Sequence, residues 1–284
     1  LGMANLVASY EGEKVGFVAD LVFGPRGADA IFNSPQAGSF YSSSSIVNQL
    51  YMYWNVSDKI TLTMGNFNTF LGYEVISPTA NFNYSTSYLF SYGPFSHTGI
   101  KADFDLGSDW SFMAAVMNPT DLTEFNATGD YGLGLQLGYA GQYLNFLSSQ
   151  GAFEIDYTGG FDLSDDFFLG INAAYYDASD DDDASFAGVA LYPQYATSDS
   201  FSLGLRAEYF AETEGGAGAI GAYDAEGDAS VFAVTLTGNY TVGDLTIKPE
   251  FRLDSGSEEG TFIDNDLAAS KSLSSFVLAA VYSF

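Results

Sequence analysis

Apolar and polar residues alternate with period two through segment after segment of this 284-residue chain. The segments are about ten residues long, the length of a tilted strand crossing a bilayer. Nowhere does an apolar run reach the roughly 18 residues that a membrane-spanning helix needs. Short polar turns alternate with long polar or Gly-rich connections. These three observations predict an all-β fold, a transmembrane antiparallel β-barrel of about 16 strands forming a single domain over residues 1–284. Without helices, only a closed barrel pairs every backbone N–H and C=O away from lipid.

The elements follow in order. A first strand lies near residues 4–10, and Glu11-Gly12-Glu13 turns the chain. Further short turns are Ser57-Asp58-Lys59, Gly107-Ser108-Asp109, Ala140-Gly141-Gln142, Ser164-Asp165-Asp166, Ser198-Asp199-Ser200 and Gly243-Asp244. The long connections are residues 25–45, 72–95, 119–130, 179–184, 213–228 and 256–270. Residues 143–149 are read as a strand with a short link to the next one. In residues 151–162, Phe153, Ile155, Tyr157 and Phe161 share one face, and Glu154, Asp156, Thr158 and Asp162 share the other. The same alternation runs through 169–176, 201–209 and 245–254, where helical spacing of three and four is absent. Pro193 and Pro249 fall on the apolar parity and predict a bulge or an edge there.

This gives about 15 strands, whereas bacterial single-chain barrels have an even number. If the last strand runs inward to Phe284, the strand near Ala4 starts outside, and a further strand before Leu1 is expected to close the barrel. Phe17, Phe23, Trp54, Trp110, Tyr139, Phe161, Tyr209, Tyr240 and Tyr282 sit near strand ends on the apolar parity. Rings there match the headgroup zone, with an apolar body and a polar tip.

Charge narrows the function. The chain has 36 acidic and 8 basic residues, a net charge of −28. No basic patch exists to hold phosphates, which excludes nucleic acid as a partner. The excess fits exposed loops in salt and a lumen that prefers cations. There is no cysteine, so disulfides and thiolate metal sites are excluded.

Val15 to Asp20, Gly65-Asn66-Phe67, Ser77-Pro78, Asn81-Phe82-Asn83-Tyr84, Ser91-Tyr92-Gly93-Pro94, His97-Thr98-Gly99, Asn118-Pro119-Thr120 and Asp156 to Gly160 together resemble the OmpL-like β-barrel porins of the Bacteroidetes type. The resemblance covers nearly the whole chain. It implies a porin of a Gram-negative outer membrane and brings no known substrate or site residues. The last strand ends Val281-Tyr282-Ser283-Phe284, and Tyr282 with the terminal Phe284 resembles the signal read by the barrel-assembly machinery.

The inward parity places Asp20, Lys101, Asp103, Asp105, Glu154, Asp156, Arg206, Glu208, Lys248, Glu250, Arg252 and Asp254 along the pore. Arg206, Lys248 and Arg252 either form a basic strip facing acidic strands, which would order water and sort ions, or pair with their neighbours Glu208, Glu250 and Asp254. Connection 72–95, rich in aromatics and amides, either folds inward and narrows the mouth or packs outside. His97, the only histidine, has Ser96 beside it, but neighbours in a strand point to opposite faces, so no catalytic residue and no enzyme activity are expected. Asp180, Asp181, Asp182 and Asp183 could bind a hard cation but lack the spacing of a formed loop, so a solvated tip is favoured and no metal or cofactor is expected.

The expected function is passive diffusion of ions and small polar solutes, with cations preferred. The alternative is a plugged or structural barrel in a larger outer-membrane complex. Expected partners are outer-membrane lipid and lipopolysaccharide, the assembly machinery, and further copies or a larger membrane complex.

Overall fold

The computed structural model describes residues 2–31, 46–123, 126, 128–178, 185–215 and 218–284. Fifteen long strands follow sequence order in one antiparallel sheet, as the alternation predicts. The chain divides into two compact units, Leu1–Leu71 with Pro94–Phe153, and Gly72–Gly93 with Glu154–Phe284.

The first unit holds β1 (Ala4–Glu11), β2 (Val15–Phe23), the single turn of helix α1 (Pro25–Asp29), β3 (Val47–Ser57), β4 (Ile60–Asn68), β5 (Ser96–Gly107), β6 (Trp110–Met117), β7 (Gly132–Tyr139) and β8 (Gln142–Ser149). Strands such as β2, β3, β6 and β7 have two unlike faces, whereas β1 is exposed along its whole length. On β6, Met113, Ala115 and Met117 are buried, while Trp110 and Val116 on the other parity are exposed. Trp110 lies opposite Tyr139 of β7, with ring centroids 4.5 Å apart. That cross-strand pair sits at the short-turn end, where aromatic rings were expected.

The two-residue turns have the handedness hairpins need. Ser108 and Asp109 have φ of 53° and 67°, and Ala140 and Gly141 have 49° and 79°. Positive φ at both central residues matches the twist of the flanking strands. Strand β8 is present, and Gln150-Gly151 with φ of 54° and 85° ends it, so the reading of residues 143–149 stands. Phe67, Leu71, Met113, Ala115, Met117 and Leu147 form an apolar cluster on the inner face.

The second unit holds α2 (Tyr88–Tyr92), β9 (Ala152–Asp162), β10 (Phe167–Ala178), β11 (Ser185–Ser198), β12 (Phe201–Thr213), β13 (Ala229–Val242), β14 (Leu245–Gly256), β15 (Phe262–Ile263), β16 (Ala269–Ser270) and β17 (Ser272–Tyr282). The short β15–β16 ladder and both single-turn helices lie inside connections read as irregular. Tyr209, Phe232, Leu236, Tyr240, Phe251 and Leu253 are exposed, while their sequence neighbours Glu208, Val231, Thr235, Thr237, Glu250 and Asp254 are buried. This inversion, with rings outside and charges inside, is what a lipid-facing sheet requires.

The prolines depart from expectation. Pro193 pairs with Leu169 in unbroken register, and the β11–β12 ladder resumes from Leu191↔Ala207 to Gln194↔Gly204 without a shift. Pro249 likewise pairs with Leu278, and the β13–β14 ladder keeps its register from Thr237↔Glu250 to Tyr240↔Ile247. Each proline interrupts one ladder and forms no bulge, because only the missing N–H is lost while the partner on its other side holds the strand.

Candidate functional site

The segment Gly72–Gly93 belongs to the second unit and lies on its polar face. Its sequence starts a helix locally. Ser87 is the N-cap of α2, and its Oγ accepts from the Phe90 N–H at 3.0 Å. The Tyr88 and Leu89 N–H groups, which have no partner within a one-turn helix, donate to the two oxygens of Glu208, each at 2.9 Å.

The other inward charges of β12 and β14 hold the rest of the loop. Glu250 accepts from the Tyr84 N–H at 2.7 Å, the Ser85 N–H at 2.9 Å and the Thr237 hydroxyl at 2.7 Å. Lys248 Nζ donates to the carbonyls of Asn81 at 2.5 Å, Phe82 at 3.2 Å and Pro78 at 3.3 Å. Arg252 donates to the Thr86 carbonyl at 2.7 Å, pairs with Asp254 at 2.8 Å and lies 5.2 Å from the Tyr88 ring centre. Burial pushes the Tyr88 phenol up to about 12, with Asp254 adding to the rise and Arg252 opposing it.

The centre of the clamp is Arg206. Its Nη1 lies 2.7 Å from Glu74 Oε1, and the two side chains are 0% and 3% exposed. Arg206 also donates to the Ser85 carbonyl at 2.6 Å and to the Ser85 and Thr235 hydroxyls at 3.2 Å. Glu74 Oε2 accepts from the Ser87 N–H at 2.7 Å and from the Ser87 hydroxyl. A buried ion pair persists only when further hydrogen bonds offset its desolvation, as they do here. Glycines of the strands let the loop lie directly on their backbone. A Cβ at Gly170 would collide with the Tyr73 ring, and one at Gly204 with Phe82.

The basic residues therefore form no open strip. Arg252 pairs with Asp254 as one reading expected, whereas Arg206 pairs with Glu74 of the loop, and Glu208 serves the helix start. Glu74 escaped the sequence reading, although it is the only charged residue among residues 72–95. Glu212 escaped too; it accepts from the Ala219 and Ile220 N–H groups at 3.0 and 2.9 Å and from Tyr223 Oη at 2.7 Å, fixing the next long loop. Asp156 accepts from the Gly72 N–H at 3.1 Å and from Asn172 at 2.5 Å, and Glu154 is buried.

Below the loop, at the short-turn end of this unit, lies a cavity of about 770 Å3. Tyr73, Glu74, Asn81, Phe82 and Asn83 supply its loop side. Asp162 at the end of β9, Asp165 and Asp166 of the β9–β10 turn and Asp244 of the β13–β14 turn also line it.

The first unit is built differently. Lys101 and Asp103 pair at 2.7 Å with side chains 23% and 39% exposed. They face a hollow of about 480 Å3 lined also by Tyr51, Tyr53, Thr63 and Phe70. A second hollow of about 420 Å3 shares Thr61 and Asp103 with it and includes Asp58, Lys59, Asp105 and Asp109. Asp105 also accepts from the Gly107 N–H at 2.8 Å. Asp20 is buried among amides, accepting from Asn5, from Asn48 at 2.7 Å and from Gln49 at 3.3 Å.

His97 is fully buried between Phe67 and Phe70, with Nε2 2.9 Å from Thr69 Oγ1. It lies in side-chain packing. Nearby, Asp121 ties the Phe95 and Ser96 N–H groups at 2.9 and 2.8 Å, and burial raises its carboxyl to about 6. Asp180, Asp181, Asp182 and Asp183 lie outside the described residues. Tyr282 and Phe284 are exposed, with ring centroids 5.9 Å apart.

The family model described as "Putative beta-barrel porin-2, OmpL-like" matches residues 1–284. Among solved structures, the chain is similar to the trimer form of OmpT, an outer membrane protein of Vibrio cholerae, at 12% identity and a TM-score of 0.60, covering 99% of this chain and 90% of that one. It is similar to an anion-selective porin from Comamonas acidovorans at 10% identity and a TM-score of 0.59, covering 98% and 89%. The outer membrane channel DcaP of Acinetobacter baumannii is similar at 16% identity and a TM-score of 0.58, covering 99% and 84%. A search of curated protein sequences returns no match.

Proposed function

This chain belongs to the OmpL-like beta-barrel porin family and is an outer-membrane channel protein, and from that premise we propose that it passes ions and small polar solutes by passive diffusion, with a preference for cations. The observation that carries this reading is the unequal use of the inward charges. Arg206 and Glu208 of β12 and Lys248, Glu250 and Arg252 of β14 are spent on holding Gly72–Gly93. Those of β5 line open hollows, where four carboxylates (Asp58, Asp103, Asp105, Asp109) stand against two ammonium groups (Lys59, Lys101). An acidic wall of this kind raises the local concentration of cations and repels anions, with no covalent step. The preference weakens in high salt, where the screening length falls to roughly 3 Å at 1 M.

In the same reading, outer-membrane lipid and lipopolysaccharide surround the exposed rings, and the barrel-assembly machinery reads Tyr282 and Phe284. A second reading, a plugged barrel serving as a subunit of a larger complex or of an assembly of copies, draws on the buried Arg206–Glu74 clamp.

Single-channel conductance in a planar bilayer under a salt gradient separates the two. Stepwise conductance with a cation-selective reversal potential is expected. Protein that is folded and inserted yet passes no current overturns the diffusion reading and leaves the plugged subunit.

A further inference from the structure

We propose that the cavity below Gly72–Gly93 is a binding site for a small organic cation, an ammonium or guanidinium group on an apolar body. At about 770 Å3 the cavity has the size of a small-molecule site. Its walls include rings, with Tyr73 stacked on Tyr192 at 4.3 Å between centroids, and Phe82 and Phe168 beside them. The ring positions are fixed from beneath, since Tyr73 rests on Gly170 and Phe82 on Gly204. Asn81 and Asn83 are buried and already bonded, to Val75 and to Thr237, so the loop side of the cavity is preformed.

Charge selects the ligand class. The cavity lining holds five carboxylates and one ammonium group. Glu74 is neutralised by Arg206, and Lys248, still positively charged, directs its hydrogen bonds at loop carbonyls. Asp162, Asp165, Asp166 and Asp244 are exposed, and none of the four takes part in an ion pair among the described residues. A neutral polyol would hydrogen-bond to these carboxylates but leave their charge uncompensated, and an anion would be repelled by them. An ammonium group gains from both the rim carboxylates and the faces of the rings, while its apolar body covers the aromatic wall.

The test uses the full chain refolded in a non-ionic detergent and three probes of similar shape: benzyltrimethylammonium, benzyl alcohol and benzoate. Titration calorimetry is expected to give saturable one-to-one binding of benzyltrimethylammonium, at least tenfold tighter than the alcohol, with no binding of benzoate. Asp162→Asn combined with Asp166→Asn, both exposed, should weaken it at least fivefold, and Phe82→Leu should do so separately. Equal affinity for the alcohol and the cation, or binding that ignores both variants, overturns the proposal. Conductance reads the diffusion function independently: a cation-selective channel that fails to bind the probe loses this site alone, and a silent barrel that binds it keeps the site.

Discussion

Replacing Glu74 by Gln removes the only counter-ion on the loop from an Arg206 that is 0% exposed. Losing one partner of a buried pair costs about 3–5 kcal/mol, and Gln, which keeps the size and one acceptor, belongs near the lower end at about 3 kcal/mol. The remaining donors of Arg206 still reach Ser85 and Thr235, so the loss falls on the seating of residues 84–89. At about 1.4 kcal/mol per factor of ten, local opening of that segment becomes on the order of 100-fold more frequent. Hydrogen–deuterium exchange of the Tyr84 to Leu89 amides, four of which donate to Glu250 and Glu208, reads this directly. Single-channel conductance should rise in the same variant. Replacing the pair together, by Glu74→Leu with Arg206→Met, leaves no stranded charge and should restore much of the protection, because an apolar replacement of a buried pair is often close to neutral. Exchange within threefold of wild type in E74Q, with conductance unchanged, would refute the view that this pair holds the loop.

Lys101→Glu should move the reversal potential further toward cations, whereas Glu250→Gln, whose carboxylate is occupied by the loop, should leave it in place while raising amide exchange at Tyr84 and Ser85. Asp121 carries a raised folded-state value of about 6 against an ordinary 3.8, so the fold binds this proton more tightly than the unfolded chain does. Its contribution is present below about pH 4 and is lost as pH rises toward 6; Asp121→Asn should remove that slope from thermal unfolding curves recorded between pH 4 and 7. Gly204→Val places a side chain where Phe82 lies, an overpacking worth about 1–3 kcal/mol. It should raise amide exchange around residues 81–83 without loss of the β-sheet signal.

The strand order, the turns and the outward rings could be read from the chain because each depends on near neighbours. Parity in a strand is set one residue at a time, so Glu208, Glu250 and Arg252 could be assigned to the inner face from Tyr209, Phe251 and Leu253 beside them. The prolines misled because a missing N–H disturbs only the ladder on its own side, and the other ladder kept the register. The two-residue turns at Ser108-Asp109 and Ala140-Gly141 were equally local, since two central residues with positive φ are enough to make them.

What those inner charges face was another matter. The bonds from the loop to Glu208, Arg206 and Glu250 join residues 120, 132 and 166 positions apart. No periodicity carries information over such distances, and an alternating strand looks the same whether its carboxylates meet water or the N–H groups of another segment. The sequence by itself determined a porin-like sheet with charges inside and rings outside, through local sterics and the pairing of every backbone group in lipid. Only the tertiary structure decided that one set of charges holds a loop while the other lines open space, because that choice depends on where Gly72–Gly93 finds partners for its own buried N–H groups.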